Sequence, residues 1–400
     1  MSAVPMTAPP GTRLLLDGTG ADHAAHLARY GALPRPGLAD LLAAVHHSGL
    51  TGRGGAGFPT ETKMRAVAAG SRRPVIVGNG LEGEPLSAKD AVLLGRNPHL
   101  VLDGLELLAR ALRARRTVLA VPADADTSAV GSVGRARGVS VVPLAGGFVA
   151  GQESALVHQL EGGPPTPQDP FTRVTESGVD GRPTLVLNVE TLAQLALVAR
   201  YGAAWFRGIG SADDPGTSLF TISGSVRHPG VVEAERGSIL RDVLAPAEPM
   251  EASAVLVGGY HGAWVPASGL GVRLTARDLA AYGVSVGAGV LHVLDVRACP
   301  VEFAAEVADY LASESTRQCG PCLNGLPRMA TDLRRLAAGV RDNALPGSIR
   351  RMSRLVTGRG ACAHPDGSAR FVASTLDVFR GHVAAHLEGW CPSAQRRAAS

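Results

Sequence analysis

Residues 48–60 read Ser-Gly-Leu-Thr-Gly-Arg-Gly-Gly-Ala-Gly-Phe-Pro-Thr, with four glycines between Gly52 and Gly57. Backbone without Cβ atoms can press its N–H groups against a ligand, and successive exposed N–H groups form a concavity suited to phosphate or pyrophosphate. Gly52, Gly54 and Gly57 also spell G-x-G-x-x-G, but that fingerprint follows a strand and opens a helix. Here residues 38–47 carry apolar side chains at helical spacing, with Ser48-Gly49 as the stop. From the run alone, a phosphate cradle and a plain turn both remain open. The second chemical centre is a set of five cysteines, Cys299, Cys319, Cys322, Cys362 and Cys391. An odd number without a secretion signal argues against a disulfide framework, and their position marks a C-terminal module with its own chemistry.

Three further segments have the composition of a site. Gly78-Asn79-Gly80-Leu81-Glu82-Gly83-Glu84-Pro85 follows a strand-like Pro74–Val77, where open α/β sheets bind ligands. Asn79 suits a ribityl hydroxyl or a ring edge, and Glu82 and Glu84 suit sugar hydroxyls; a solvated acidic turn is the alternative. Residues 146–156, with Gly146, Gly147, Phe148, Gly151 and Glu153, form another glycine-bracketed strand-to-helix junction. Asn188-Val189-Glu190-Thr191 opens a helix, where Asn188 or Thr191 could also be a simple cap. The chain has just two lysines, Lys63 and Lys89, and both fall within or beside these segments.

The elements that must position these residues are an α/β layer over residues 35–215, a small β-rich domain over 216–298 and a helical bundle over 299–400, after an N-terminal extension 1–34. Strand-like Pro74–Gly78, Arg116–Val121 and Val139–Leu144 alternate with helices at His99–Ala114, Glu153–Leu160 and Glu190–Tyr201, the pattern of a largely parallel sheet. Helices are expected at Val301–Ser313, Leu326–Gly339, Ser348–Thr357 and Ala369–Leu387. A chain of 400 residues with 45% hydrophobic and 18% charged residues describes a soluble globular protein. Its net charge of +4 is spread without a basic block, so no nucleic-acid partner is expected. No stretch is apolar enough to span a membrane and no signal peptide is visible, so a cytoplasmic location is the default.

Taken in order, these segments resemble the family of flavin-bearing, NADH-oxidising 51-kDa subunits of respiratory NADH:quinone dehydrogenases and its relatives in NAD-linked hydrogenases and formate dehydrogenases. The resemblance runs from Ser48–Thr60 with Lys63 through Asn79–Pro85 with Lys89-Asp90, Pro98-His99-Leu100, Gly151–Gly162 and Pro183–Leu192, into Phe220–Gly224 and the cysteine region. It implies an FMN-binding α/β domain, a β-grasp soluble-ligand-binding domain and an iron–sulfur helical bundle. It implies that Gly52, Arg53, Gly54, Gly55, Ala56 and Gly57, with Lys63, Asn79, Asn188 and Thr191, hold FMN. Phe58 and Phe171 would stack on NADH, with Glu84 and the catalytic Glu153 near the nicotinamide and its ribose; Glu82, Phe148 and Gly151 complete the cofactor site. Departures from the family pattern fall here: Leu81 for Asp, Gln152 for Glu, Phe148 for Tyr, Gln168 for Lys and Leu187 for Asn, with no second stacking Phe in Met64–Val67.

The family's cluster motif, Glu-Ser-Cys-x-x-Cys-x-x-Cys with a distant fourth Cys, reads here Glu314-Ser315-Thr316-Arg317-Gln318-Cys319-Gly320-Pro321-Cys322 with Cys362. Thr316 occupies the first ligand position. A bare remnant and a tetrahedral zinc site are the alternatives; a 4Fe-4S cluster on Cys319, Cys322 and Cys362 is the preferred reading. Cys299 is the first candidate for the fourth ligand, followed by Cys391 or His364. The functional expectation is electron transfer from NADH or NADPH through FMN to the cluster and on to a ferredoxin-like protein or membrane reductase subunit. The competing expectation is a non-catalytic scaffold that keeps fold and cluster.

Overall fold

The computed structural model describes residues 14–168 and 171–398. They form two compact units: residues 14–83, 87–220 and 231–238, and residues 84–86, 221–230 and 239–398.

The first unit contains α1 (His23–Tyr30), α2 (Leu38–Ser48), α3 (Thr60–Ala68), β1 (Val75–Asn79), α4 (Lys89–Arg96), α5 (Pro98–Ala111), β2 (Arg116–Pro122), α6 (Ser128–Ala136), β3 (Ser140–Leu144), α7 (Glu153–Leu160), β4 (Thr184–Asn188) and α8 (Val189–Arg207). Its four strands lie in the order β3-β2-β1-β4, all parallel. The short apolar runs of β1 and β4 are buried on both faces, as parallel strands between helical layers must be. Alternation along the strands divides the core. Ile76, Leu119 and Leu185 pack with Leu105, Leu108 and Leu192 of α5 and α8, whereas Val77, Val118 and Val186 meet Leu156 and Val157 of α7. The stretch expected as an N-terminal extension contributes Leu14, Leu15 and Tyr30 to the first of these cores.

Next come β5 (Thr217–Gly224) and β6 (Gly230–Glu235), then α9 (Leu240–Leu244), β7 (Ala252–Val257), β8 (Ala263–Pro266), α10 (Ala276–Leu279) and β9 (Val290–Asp295). These strands make a mixed sheet in the order β6-β5-β9-β7-β8, with β5 parallel to β9 and β7 antiparallel to both β9 and β8. The chain ends in helices: α11 (Pro300–Ser313), α12 (Leu326–Ala337), α13 (Leu345–Val356), α14 (His364–Val378), α15 (Arg380–Leu387) and α16 (Pro392–Ala398). The fully buried Trp264 of β8 anchors this bundle through its indole N–H, which donates to Thr375 Oγ1 at 3.0 Å. The single helix expected over 369–387 is two. Phe379, at φ −107° and ψ 39°, breaks it, and the first helix begins five residues early at His364. Among the described residues, no helix is long and apolar enough to cross a membrane.

Candidate functional site

Strand register decides where the sequence-selected residues meet. Asn79 and Asn188 are the last residues of β1 and β4 and lie opposite each other in adjacent parallel strands. Both stand at the carboxyl edge of the sheet, where strand-to-helix turns leave room for ligands. Asn79 ties the edge together: its Nδ2 donates to Gly151 O at 2.8 Å and its Oδ1 accepts Leu81 N–H at 3.1 Å. Asn188 caps α8 by accepting Glu190 N–H at 3.0 Å, and its Nδ2 donates to Asp90 Oδ2 at 2.6 Å.

The glycine run docks on this edge. Gly52 N–H donates to Phe58 O at 2.8 Å, closing the loop, and Arg53 N–H donates to Thr191 Oγ1 at 2.9 Å. Between these anchors Gly55 takes φ +110°, a conformation that side chains with a Cβ rarely adopt. The residues between these anchors form a tight turn, and among the described residues none of the N–H groups of Gly54, Gly55, Ala56 and Gly57 donates to another element, which leaves this backbone available to an anion. Gly83 is the other close approach: a Cβ there would lie 2.6 Å from Phe148 O and 2.7 Å from Gly147 O. The 78–83 and 146–151 segments therefore touch backbone to backbone.

Beneath the loop lies a buried charge web, only part of which was visible in sequence. Lys89, 3% exposed, donates to Asp90 Oδ1 at 2.6 Å and Asn188 Oδ1 at 3.2 Å and pairs with Glu190 Oε2 at 3.1 Å. Burial alone would lower the Lys89 pKa, but the charges of Asp90 and Glu190 outweigh it and raise it. Glu190 also accepts Leu219 N–H at 3.0 Å. Arg53 is buried, with its pKa lowered to about 9 by burial and by Arg236; its Nε lies 4.0 Å from Glu190 Oε1 and makes no hydrogen bond among the described residues. Glu190 went unassigned in sequence; the signal was Lys89, one of two lysines in the chain, in need of buried anions.

Other expected site residues have structural partners. The Glu82 carboxylate receives Ser87 Oγ–H and the N–H groups of Asp90 (3.2 Å) and Ala91 (3.3 Å), which makes it an N-terminal cap of α4 rather than a free acceptor. Burial, then Asp90, raises its pKa. Glu84 accepts Tyr260 N–H at 2.8 Å and Leu86 N–H at 3.3 Å. Gln152, the departure from the family's Glu, caps α7 by accepting Ser154 and Ala155 N–H at 2.9 and 3.0 Å. Leu81 and Leu187 are buried in the two cores of the first unit. Glu153, first residue of α7, pairs with Lys63 at 2.9 Å, both partly exposed. Phe58 and Phe171 are exposed, the latter by 90%.

Among the cysteines, Cys319, Cys322 and Cys362 form one group. Burial, then the neighbouring Cys319 and Cys362, pushes the Cys322 thiol up to about 12, and burial with Cys319 raises Cys362. Cys319 precedes the π-helical turn Pro321–Gly325 and Cys322 lies within it, and both sit in a small apolar cluster with Leu326, Met329 and Met352. Three neighbouring thiols that must lose protons to become ligands suit a cationic metal cluster. Cys299 lies elsewhere, with His386 and Cys391. Helix α11 separates Cys299 from the motif by 14 residues, roughly 21 Å at 1.5 Å per residue, and this overrides the sequence expectation that Cys299 completes the cluster. His364, the other candidate, has both ring nitrogens engaged, with Leu311 O at 2.8 Å and His261 at 3.1 Å.

A cleft of about 710 Å³ lined by Arg35, Arg72, Arg73, Arg110 and Arg113 also includes Pro74, at the start of β1. It lies at the amino ends of the strands, away from the glycine loop.

This arrangement defines a flavo-iron–sulfur class: a glycine-loop α/β domain followed by a thiolate site in a helical bundle. Residues 45–197 match the Nuo51 FMN-binding domain and residues 302–386 the NADH-ubiquinone oxidoreductase-F iron-sulfur binding region. The chain is 31% identical to an NADH-quinone oxidoreductase subunit of Rhizobium meliloti over 87% of its length and 89% of that protein. It is 30% identical to NADP-reducing hydrogenase subunit HndC of Solidesulfovibrio fructosivorans over 89% of its length and 78% of that protein. It also superposes on a chain of an NAD+-reducing [NiFe]-hydrogenase with a TM-score of 0.83 and 31% identity, covering 96% of this chain and 70% of that one. The chain belongs to the family of 51-kDa subunits of NADH:quinone oxidoreductases.

Proposed function

We propose that this chain is an NADH-oxidising FMN/iron–sulfur subunit that delivers electrons to a partner in a larger NADH dehydrogenase or hydrogenase assembly. One observation carries the reading most: the glycine run Gly54 to Gly57, whose N–H groups donate to no other element among the described residues, is held at the carboxyl edge of the sheet by Thr191, Asn188 and the Lys89 web. FMN, when bound, converts a two-electron hydride donor into a source of single electrons for the cluster.

The residues present fit such groups. The glycine loop and Arg53 would receive the FMN phosphate. Lys63 uses one N–H on Glu153 and keeps two for phosphate or ribityl oxygens. Glu153 remains half-exposed at the start of α7, placed to accept from a ribose or nicotinamide amide. Phe58 and Phe171 offer exposed ring faces to NADH. Cys319, Cys322 and Cys362 would hold the cluster as three thiolates, with the position of Thr316 left to a non-cysteine group. We read residues 35–215 as the nucleotide domain, 216–298 as a β-grasp domain and 299–400 as the cluster domain. A ferredoxin-like or membrane-reductase partner suits the family relationship. NADH-dependent dye reduction tests this. The wild-type protein should reduce the dye, whereas Gly55→Val, whose β-branched side chain blocks the loop, should not, while keeping its circular dichroism. Equal activity in the two proteins overturns the reading.

A further inference from the structure

Cys299, His386 and Cys391 form a thiol and imidazole group of their own. Its three donor atoms lie within 4.8 Å of one another, two of the residues are buried, and they come from three separate elements. Cys299 caps α11, His386 lies in α15 and Cys391 precedes α16. The Cys299 Sγ to His386 Nε2 distance is 3.3 Å. Tetrahedral zinc with Zn–S near 2.3 Å and Zn–N near 2.0–2.1 Å places a sulfur and a nitrogen ligand about 3.6 Å apart. A shift of a few tenths of an ångström would therefore seat the ion.

The surroundings are those of a ligand set. His386 Nδ1 donates to Leu336 O at 3.1 Å, which fixes the tautomer and leaves the Nε2 lone pair directed at the sulfurs, the support that metal-bound histidines receive. Cys299 Sγ accepts Glu302 N–H at 3.4 Å at the first turn of α11, which holds the sulfur in place beside His386. A disulfide between Cys299 and Cys391 would leave the His386 Nε2 lone pair buried without a partner. The same contacts show that Leu336, near the end of α12, lies beside the start of α11, so α11 and α12 run antiparallel. This site is then at one end of that helix pair, and Cys319 and Cys322 are at the other.

We propose that Cys299, His386 and Cys391 bind a divalent zinc ion separate from the iron–sulfur site, which staples the C-terminal segment to the start of α11. Two thiolates and one imidazole favour zinc over magnesium or calcium, with water completing four-coordination.

Elemental analysis of the full-length protein purified without air tests it. Zinc should be present at about one per chain in the wild type and fall about tenfold or more in His386→Ala and in Cys391→Ser, with iron unchanged. In Cys322→Ser iron should fall and zinc stay, which separates this site from the cluster reading. Cobalt added to chelator-treated protein should give thiolate-to-cobalt absorbance that Cys391→Ser abolishes. This variant replaces a partly exposed residue and keeps the test usable if Cys299→Ser does not fold. Absence of both zinc and the cobalt band in the wild type overturns the proposal. So does zinc that persists in Cys391→Ser, or a Cys299–Cys391 disulfide found by non-reducing peptide mapping.

Discussion

Replacing Lys89 by Met would remove the cation from the web beneath the glycine loop while nearly preserving side-chain volume. Asp90 and Glu190, 3% and 1% exposed, would then face each other without the ammonium group now 2.6 and 3.1 Å from them. Breaking a buried pair from one side typically costs about 3–5 kcal/mol. At about 2–4 °C per kcal/mol for a domain of this size, the first unit should melt roughly 6–20 °C lower. The deficit should shrink as pH falls, because protonating one of the two stranded carboxylates relieves the repulsion. Glu190→Gln added to Lys89→Met should recover part of the loss, a coupling that independent sites would lack. Asn188 also loses a donor to its Oδ1, and its Cβ would be 3.4 Å from a Cβ at Gly54, so flavin retention should fall with stability. Differential scanning calorimetry at two pH values, with flavin fluorescence on the same samples, reads all of this. Unchanged melting and flavin content in Lys89→Met would refute the reasoning.

Gly83→Ala must push the 78–83 and 146–151 segments apart by roughly half an ångström, at a cost of about 1–3 kcal/mol; isothermal titration with FMN should show weaker binding while the helical bundle melts as before. Glu153→Ala should raise KM for NADH or lower kcat in dye reduction with melting unchanged, whereas a residue acting only on the helix dipole would move neither kinetic constant. Burial would raise the Asp103 pKa, but His26, Arg200 and Arg137 outweigh it and hold the carboxyl at about 2. Its folded pKa is below its unfolded one, so the stability it contributes is present above about pH 4 and is lost as pH falls toward 2, by about 2 kcal/mol. Asp103→Asn should flatten that part of an acid-unfolding curve.

The parallel sheet was readable because its strands are short apolar runs bounded by glycine and proline, and because the glycine loop had to follow the apolar-periodic α2. Short helices such as α3, α4 and α6 were not, since their positions are held by tertiary partners. Helix α4, for example, is capped by Glu82 from seven residues upstream of its start, a contact that spacing does not reveal. Sequence selected Asn79, Asn188 and Thr191, and strand register makes the first two neighbours as matched strand ends. It did not reveal that the Glu82 carboxylate also caps α4. It also assigned Cys299 to the cluster, because sequence order hides which end of a helix pair a residue occupies. His386 carried no sequence signal, since its partners lie 87 and 50 residues away in the chain.

The most direct measurement is an anaerobic spectral titration with NADH of the full-length protein, with flavin, iron and sulfide determined on the same sample. Stoichiometric FMN, iron matched by acid-labile sulfide, and bleaching of the flavin band on adding NADH are the predicted result. A folded protein that contains no flavin after incubation with FMN, or whose bound flavin NADH leaves oxidised, would contradict it.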